Sequence, residues 1–95
     1  MSALTSADVG SLLQRIASYD GRAVTTPDVI AWLELFAESQ LRPSAVELHT
    51  AVRRWYESHS TYVRPANLLQ LVRDARRRSM VQDVTAARLA GELEA

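Results

Sequence analysis

The sequence has no cysteine, no lysine, two histidines and three isolated glycines. Each shortage closes a line of chemistry. Without cysteine there is no disulfide framework and no thiol chemistry, and a reducing cytoplasm is compatible. Gly10, Gly21 and Gly91 stand alone, so no glycine-rich loop can cradle phosphate, and ATP binding is not expected. His49 and His59 lie ten residues apart with no HExxH spacing, so no zinc site is expected. His49 reads as a half-buried filler and His59 as a loop residue. Most serines fall in caps, loops or helix surfaces, and none sits in GxSxG. Carboxylates occur singly on solvated faces. No constellation meets the spatial needs of an active site, so the reading is a non-enzyme without cofactor or metal.

Strand signals and internal repeats are missing too. The longest apolar run, Val29 to Ala37, is broken by Glu34 and falls far short of a membrane span. No basic-then-apolar leader follows Met1, so no signal peptide is expected, and the cytoplasm is the expected compartment.

What remains is a 95-residue chain that is 47% hydrophobic, which suits one small globular domain with a thin margin of core. Four segments carry helical periodicity. Ser6 can cap a first helix from Ala7 to about Tyr19, with Val9, Leu12, Leu13 and Ile16 on one stripe and Asp20-Gly21 ending it. Thr26-Pro27-Asp28 opens a second helix to about Gln40, with Thr26 as cap and Pro27 at the first helical position. Val29, Ile30, Trp32, Leu33, Phe36 and Ala37 cover so wide an arc that this helix is expected at the centre of the bundle. Ser44 and Glu47 form a capping box for a third helix to about Ser58, whose apolar face holds Leu48, Ala51, Val52, Trp55 and Tyr56. Arg53 and Glu57 pair at i,i+4 on the opposite side.

After a polar connector, Pro65 starts a fourth helix with Leu68, Leu71, Val72 and Ala75 facing inward. Residues 80–94 read helical with two thin stripes, Val84/Ala87/Gly91 and Ala86/Leu89/Leu93. They form either a fifth helix capped by Asp83 or a continuation of the fourth. The expected fold is all-α: a compact bundle of four helices over residues 1–79, plus a C-terminal helical or partly flexible segment over 80–95.

The net charge is zero but unevenly spread. Residues 1–51 hold six acids and three arginines, residues 52–79 hold seven arginines and two acids, and residues 80–95 hold one arginine and three acids. The segments thus carry −3, +5 and −2, a dipolar pattern. Arg73 and Arg77 sit one turn apart and could meet successive phosphates, with Arg53, Arg54 and Arg64 adding charge. Against that reading, the connector before Pro65 is too long for a helix-turn-helix and has no glycine. A solvated face ranks first, an acidic protein partner second and nucleic acid third. Trp55 reads as core, with Tyr56 and Tyr62 over the junction of the third and fourth helices.

The layout also resembles a known family. The pieces that carry the likeness are Ala17-Ser18-Tyr19-Asp20, Ala31-Trp32-Leu33, Ala51-Val52-Arg53-Arg54-Trp55-Tyr56, and Arg64-Pro65-Ala66-Asn67-Leu68-Leu69 with Arg73, Arg76 and Arg77. Over about residues 12–78 this pattern of residue types resembles the replicative-helicase loader/inhibitor proteins of phages of Gram-positive and actinobacterial hosts. The resemblance implies an all-helical N-terminal domain, no ATPase motifs, a C-terminal part that engages a hexameric helicase, and residence in the host cytoplasm. The expected function is therefore non-catalytic protein–protein interaction, as a helicase loader or modulator at a phage replisome. A small DNA-binding regulator using the basic fourth helix and an inhibitor of a host protein are the alternatives. Arg73, Arg76, Arg77, Leu89 and Leu93 are the expected partner contacts. A homo-oligomer stays open, and no membrane contact is expected.

Overall fold

The computed structural model describes the backbone of residues 3–94 and the side chains of residues 3–81. Among the described residues four helices make up the fold: α1 (Ser6–Asp20), α2 (Thr26–Glu38), α3 (Ala45–Ser58) and α4 (Pro65–Glu94). No strand occurs among the described residues. The chain is an all-helical bundle, and the segment beyond residue 79 belongs to α4 rather than to a separate fifth helix.

The first three helices start in the same way. Thr5, Thr25 and Ser44 each accept a hydrogen bond from the backbone N–H three residues on, and Asp8, Asp28 and Glu47 each reach back to the cap's own N–H. Each box satisfies two donors that a helix end otherwise leaves free. The Ser44 box stands as expected. The other two caps differ by one residue: Thr5 replaces Ser6, and Thr25 replaces Thr26, which becomes the first helical residue. The Thr-x-x-Asp spacing fixes both. Gly21 closes α1 with φ 72°, a left-handed conformation that glycine adopts without penalty.

Among the described residues α1 packs on α2 and α3, and α4 packs on α3 and α2. Sequential α2 and α3 are therefore diagonal, and residues 39–44 carry the chain across, with Arg42 at φ 45° and Pro43 buried. The core is Val9, Leu12, Leu13 and Ile16 of α1, Phe36 of α2, Leu48, Ala51 and Val52 of α3, Val63, and Leu68 and Val72 of α4.

Two expectations are corrected here. Helix α2 is not central: Phe36 is its one fully buried residue, Val29, Trp32 and Leu33 are half-buried, and Ile30 and Leu35 are about half exposed. Its run of apolar residues spreads around the helix, while only two neighbours contact it. Trp55 is not enclosed either. It packs half-buried on the edge of the core, its ring stacks on His59, and its Nε1 donates to the Thr61 carbonyl at 2.9 Å.

Helix α4 is twice the length of any other. Thirty residues span about 45 Å, against about 20 Å for its partners. The bundle can flank only its first half, and every residue from Arg76 to Val81 is exposed. Its long axis stretches the molecule to 58 Å, against 30 and 17 Å across.

Candidate interaction surface

Two polar ties position the surface of α4, and sequence spacing predicts neither. The first sits at the start of α4. Asp20, the last residue of α1, accepts from Arg22 through both carboxylate oxygens, at 2.6 to 3.1 Å. Its side chain is almost fully buried. The same guanidinium donates from Nη2 to the Val63 carbonyl at 2.9 Å. Tyr56 of α3 donates its hydroxyl to Asp20 and accepts from the Val63 N–H. Tyr19 stacks on Tyr56 at 4.8 Å, and the Arg22 guanidinium lies over Trp32 at 5.6 Å and Tyr62 at 5.0 Å.

This network anchors α1, α3 and the connector 59–64 to one another. It holds Val63 in the core and thereby fixes where Pro65 starts α4. Burial alone would raise the Asp20 carboxyl, but the bonds from Arg22 and Tyr56 outweigh it and hold the group below its ordinary value. Burial and the bond to Asp20 push the Tyr56 hydroxyl up. Asp20, Arg22 and Tyr56 are thus bonded chiefly to one another and to Val63.

The second tie lies half-way along α4. Arg76 forks onto Glu47 at 2.6 and 2.8 Å and donates to the Leu41 carbonyl at 2.7 Å. The fork from Arg76 holds the Glu47 carboxyl down at about 2. Glu47 already serves the α3 cap, so Arg76 joins α4 to the cap of α3 and to the turn before it.

The expected contact residues separate accordingly. Arg76 is occupied within the fold. Arg73 and Arg77 are exposed on the outer face, with Arg73 bonded to Gln70. Arg53 and Arg54 are exposed on α3, Arg53 in a loose 4.0 Å pair with Glu57. Arg64 is exposed in the connector, its backbone N–H held by the Asn67 side chain. It lies a full α3 length from the cluster around Arg78. Leu89 and Leu93 lie on α4 but outside the described side chains. Tyr62 is 59% exposed beside Arg22.

Between α3 and α4 an apolar groove of about 140 Å³ runs over Val46, Thr50, Ala51, Leu71 and Ala75, with Arg54 at its edge. Arg54, Ala75, Arg78 and Ser79 continue it toward the projecting half of α4. Val46 stands 76% exposed at its margin, and Met80 and Val81 are exposed just beyond. Sequence reading missed this groove. The one signal for it was Val46 on the outer side of an otherwise amphipathic helix.

Among the described residues no group of three His, Cys, Asp or Glu side chains could hold a metal ion. His49 lines the side of α3 near Asp8 and Arg15 of α1. Burial, with Arg15 adding to it, depresses its basicity, and its Nδ1 has no partner. No helix among the described residues is long and apolar enough to cross a membrane. Comparison with protein-family models, with curated proteins and with solved structures returns no match.

Proposed function

We propose that the chain is a non-catalytic protein-interaction module, and that its partner is a replicative helicase which it loads or modulates. The observation that carries the reading is α4. Its first half is fixed by the Arg22–Asp20–Tyr56 and Arg76–Glu47 ties, and its second half extends past the helices that could cover it. A rigid base with a protruding helix is a presentation device: the bundle sets direction, and the exposed helix supplies the contact. Arg77 steers an acidic partner surface, and Leu89 and Leu93 provide apolar anchors. The resemblance to phage helicase loader/inhibitor proteins names the partner class.

The test is a calorimetric titration of the full chain into a hexameric replicative helicase, alongside Leu89→Glu/Leu93→Glu. Binding by the parent and its loss in the variant support the reading. Equal binding by both moves the site elsewhere, with the exposed Tyr62 region as the next surface to probe. No binding by either removes the helicase.

A further inference from the structure

We infer that the α3–α4 groove is the seat for the C-terminal third of α4 from a second copy of this chain, in an antiparallel, reciprocal dimer. The inference goes beyond the proposed function and needs no other partner to test; because it buries Leu89 and Leu93, the dimer and a helicase contact through them exclude each other.

Three observations carry it. The groove is apolar along its floor and edged by Arg54 and Arg78, and the one acid in its wall, Glu47, is already bonded to Arg76. Its occupant should be a helix with an apolar stripe and net negative charge. Residues 80–95 are such a segment: three acids, Asp83, Glu92 and Glu94, stand against Arg88 alone.

The second observation is register. Ala86, Leu89 and Leu93 fall on the same helical stripe as Leu68, Leu71 and Ala75. The α4 ridge that packs into the bundle therefore continues in sequence beyond the reach of α3.

The third is length. Helix α4 continues to Glu94 as helix, about 28 Å past the last half-buried residue, Ala75. That excess is enough to span the groove along α3, which is about 21 Å long. It cannot fold back onto its own groove without breaking α4.

Two α4 helices crossing antiparallel at Gln82 satisfy all three. By index, Ala86 of one copy then meets Arg78 of the other, Leu89 meets Ala75, and Leu93 meets Leu71. The contact is isologous, so each copy both gives a helix and receives one. The acidic C-terminal part of each α4 comes to lie along the arginine-rich stretch of the other, which favours antiparallel over parallel pairing. Met80 and Val81, exposed at 68% and 59%, sit beside the crossing point.

Sedimentation equilibrium on the full chain is the first measurement. A concentration-dependent mass rising to twice 10.6 kDa is expected. Val46→Glu in the groove and Leu89→Glu in the tail should each weaken dimerisation at least tenfold. Arg54→Glu should weaken it too, and Glu92→Arg in the same chain should restore part of the loss. Because the parent has no cysteine, Arg78→Cys and Ala86→Cys chains can be mixed and oxidised. A disulfide between the two different chains, in preference to either self-pair, is expected.

A chain that stays monomeric to several hundred micromolar overturns the inference. So does a dimer indifferent to both Val46→Glu and Leu89→Glu, or cysteine chains that prefer self-pairs. A monomeric chain that still binds the helicase leaves the proposed function standing, whereas a dimer that ignores the helicase leaves only the dimer.

Discussion

Arg22, on the loop after α1, donates to the backbone carbonyl of Val63, 41 residues later. One guanidinium thus joins the end of the first helix to the residue that sets up the last. It is 16% exposed, and its Asp20 partner is 2% exposed. Removing one member of a buried ion pair leaves the other charge without compensation. Arg22→Ala is expected to cost about 3 kcal/mol in chemical denaturation. Arg22→Lys should recover little, because an ammonium cannot fork onto Asp20 and reach Val63 as well. Full recovery by lysine would show that charge alone matters.

Tyr56 gives a finer test of the same network. Its hydroxyl is both donor to Asp20 and acceptor from the Val63 N–H. Tyr56→Phe keeps the ring stacked on Tyr19 but leaves both partners short of a bond. A loss of about 2 kcal/mol is expected. A loss below 0.5 kcal/mol, roughly the lower bound for one hydrogen bond, would mean that water replaces the hydroxyl.

Acid should weaken the fold in two stages. His49 has a lowered pKa in the folded state, so the unfolded chain binds its proton more readily, and stability falls as pH drops below the ordinary 6.5. Glu47 is held at about 2 against an ordinary 4.5. Its contribution is complete above 4.5 and disappears as pH falls toward 2. The pair is about one-third exposed, so solvent screening reduces that contribution to about 1 kcal/mol. Denaturation midpoints between pH 8 and 3 should show both stages. His49→Gln should erase the upper one and Glu47→Gln the lower, and a profile unchanged in either variant would remove that residue as the cause.

The helices were legible in the sequence because their signals are local. Ser44 and Glu47 lie three residues apart, and Leu12, Leu13 and Ile16 repeat within one turn. The misplaced cap at Thr26 shows the limit of even local reading: Pro27 drew the start one residue late, although Thr25 and Asp28 hold the box spacing. Long-range partners were not legible. Nothing near Asp20 in sequence names Tyr56, and nothing near Arg76 names Glu47 or Leu41. Arg76 was expected to be free for a partner because its fork spans 29 residues. Val63 was hidden in a polar connector because one apolar residue has no period. The central place expected for α2 failed for a related reason, since composition counts apolar residues but not the helices available to cover them.

Duplex DNA offers a test of the arginine surface. Arg53, Arg54, Arg73 and Arg77 are exposed, yet residues 1–51 carry −3 and the chain is neutral overall. Weak or no duplex binding is expected near physiological salt. If binding does occur through Arg73 and Arg77, their joint replacement by alanine should flatten the salt dependence by about two units. Tight, sequence-selective binding at that salt would favour the DNA-regulator alternative over a protein partner.

Removing residues 82–95 separates the bundle from the projecting helix. Among the described side chains, the buried core ends at Val72 and the last tie between elements is Arg76. The determinants of the fold thus precede the cut, and the shortened chain should keep its helical bundle at low protein concentration, with a melting midpoint within about 3 °C of the parent. A cut after Asp74 is the contrasting case. It removes Ala75 from the groove and Arg76 from Glu47 and Leu41, and should lower the midpoint by about 5 °C or more. Concentration adds the discriminating axis, because self-association stabilises the folded state by mass action. The parent's midpoint should rise between micromolar and millimolar protein, while that of the chain ending at Val81 should not move. If the shorter chain unfolds even when dilute, the second half of α4 is core rather than contact surface. If both midpoints are independent of concentration, the exposed Met80 and Val81 and the groove beside them serve some partner other than a second copy.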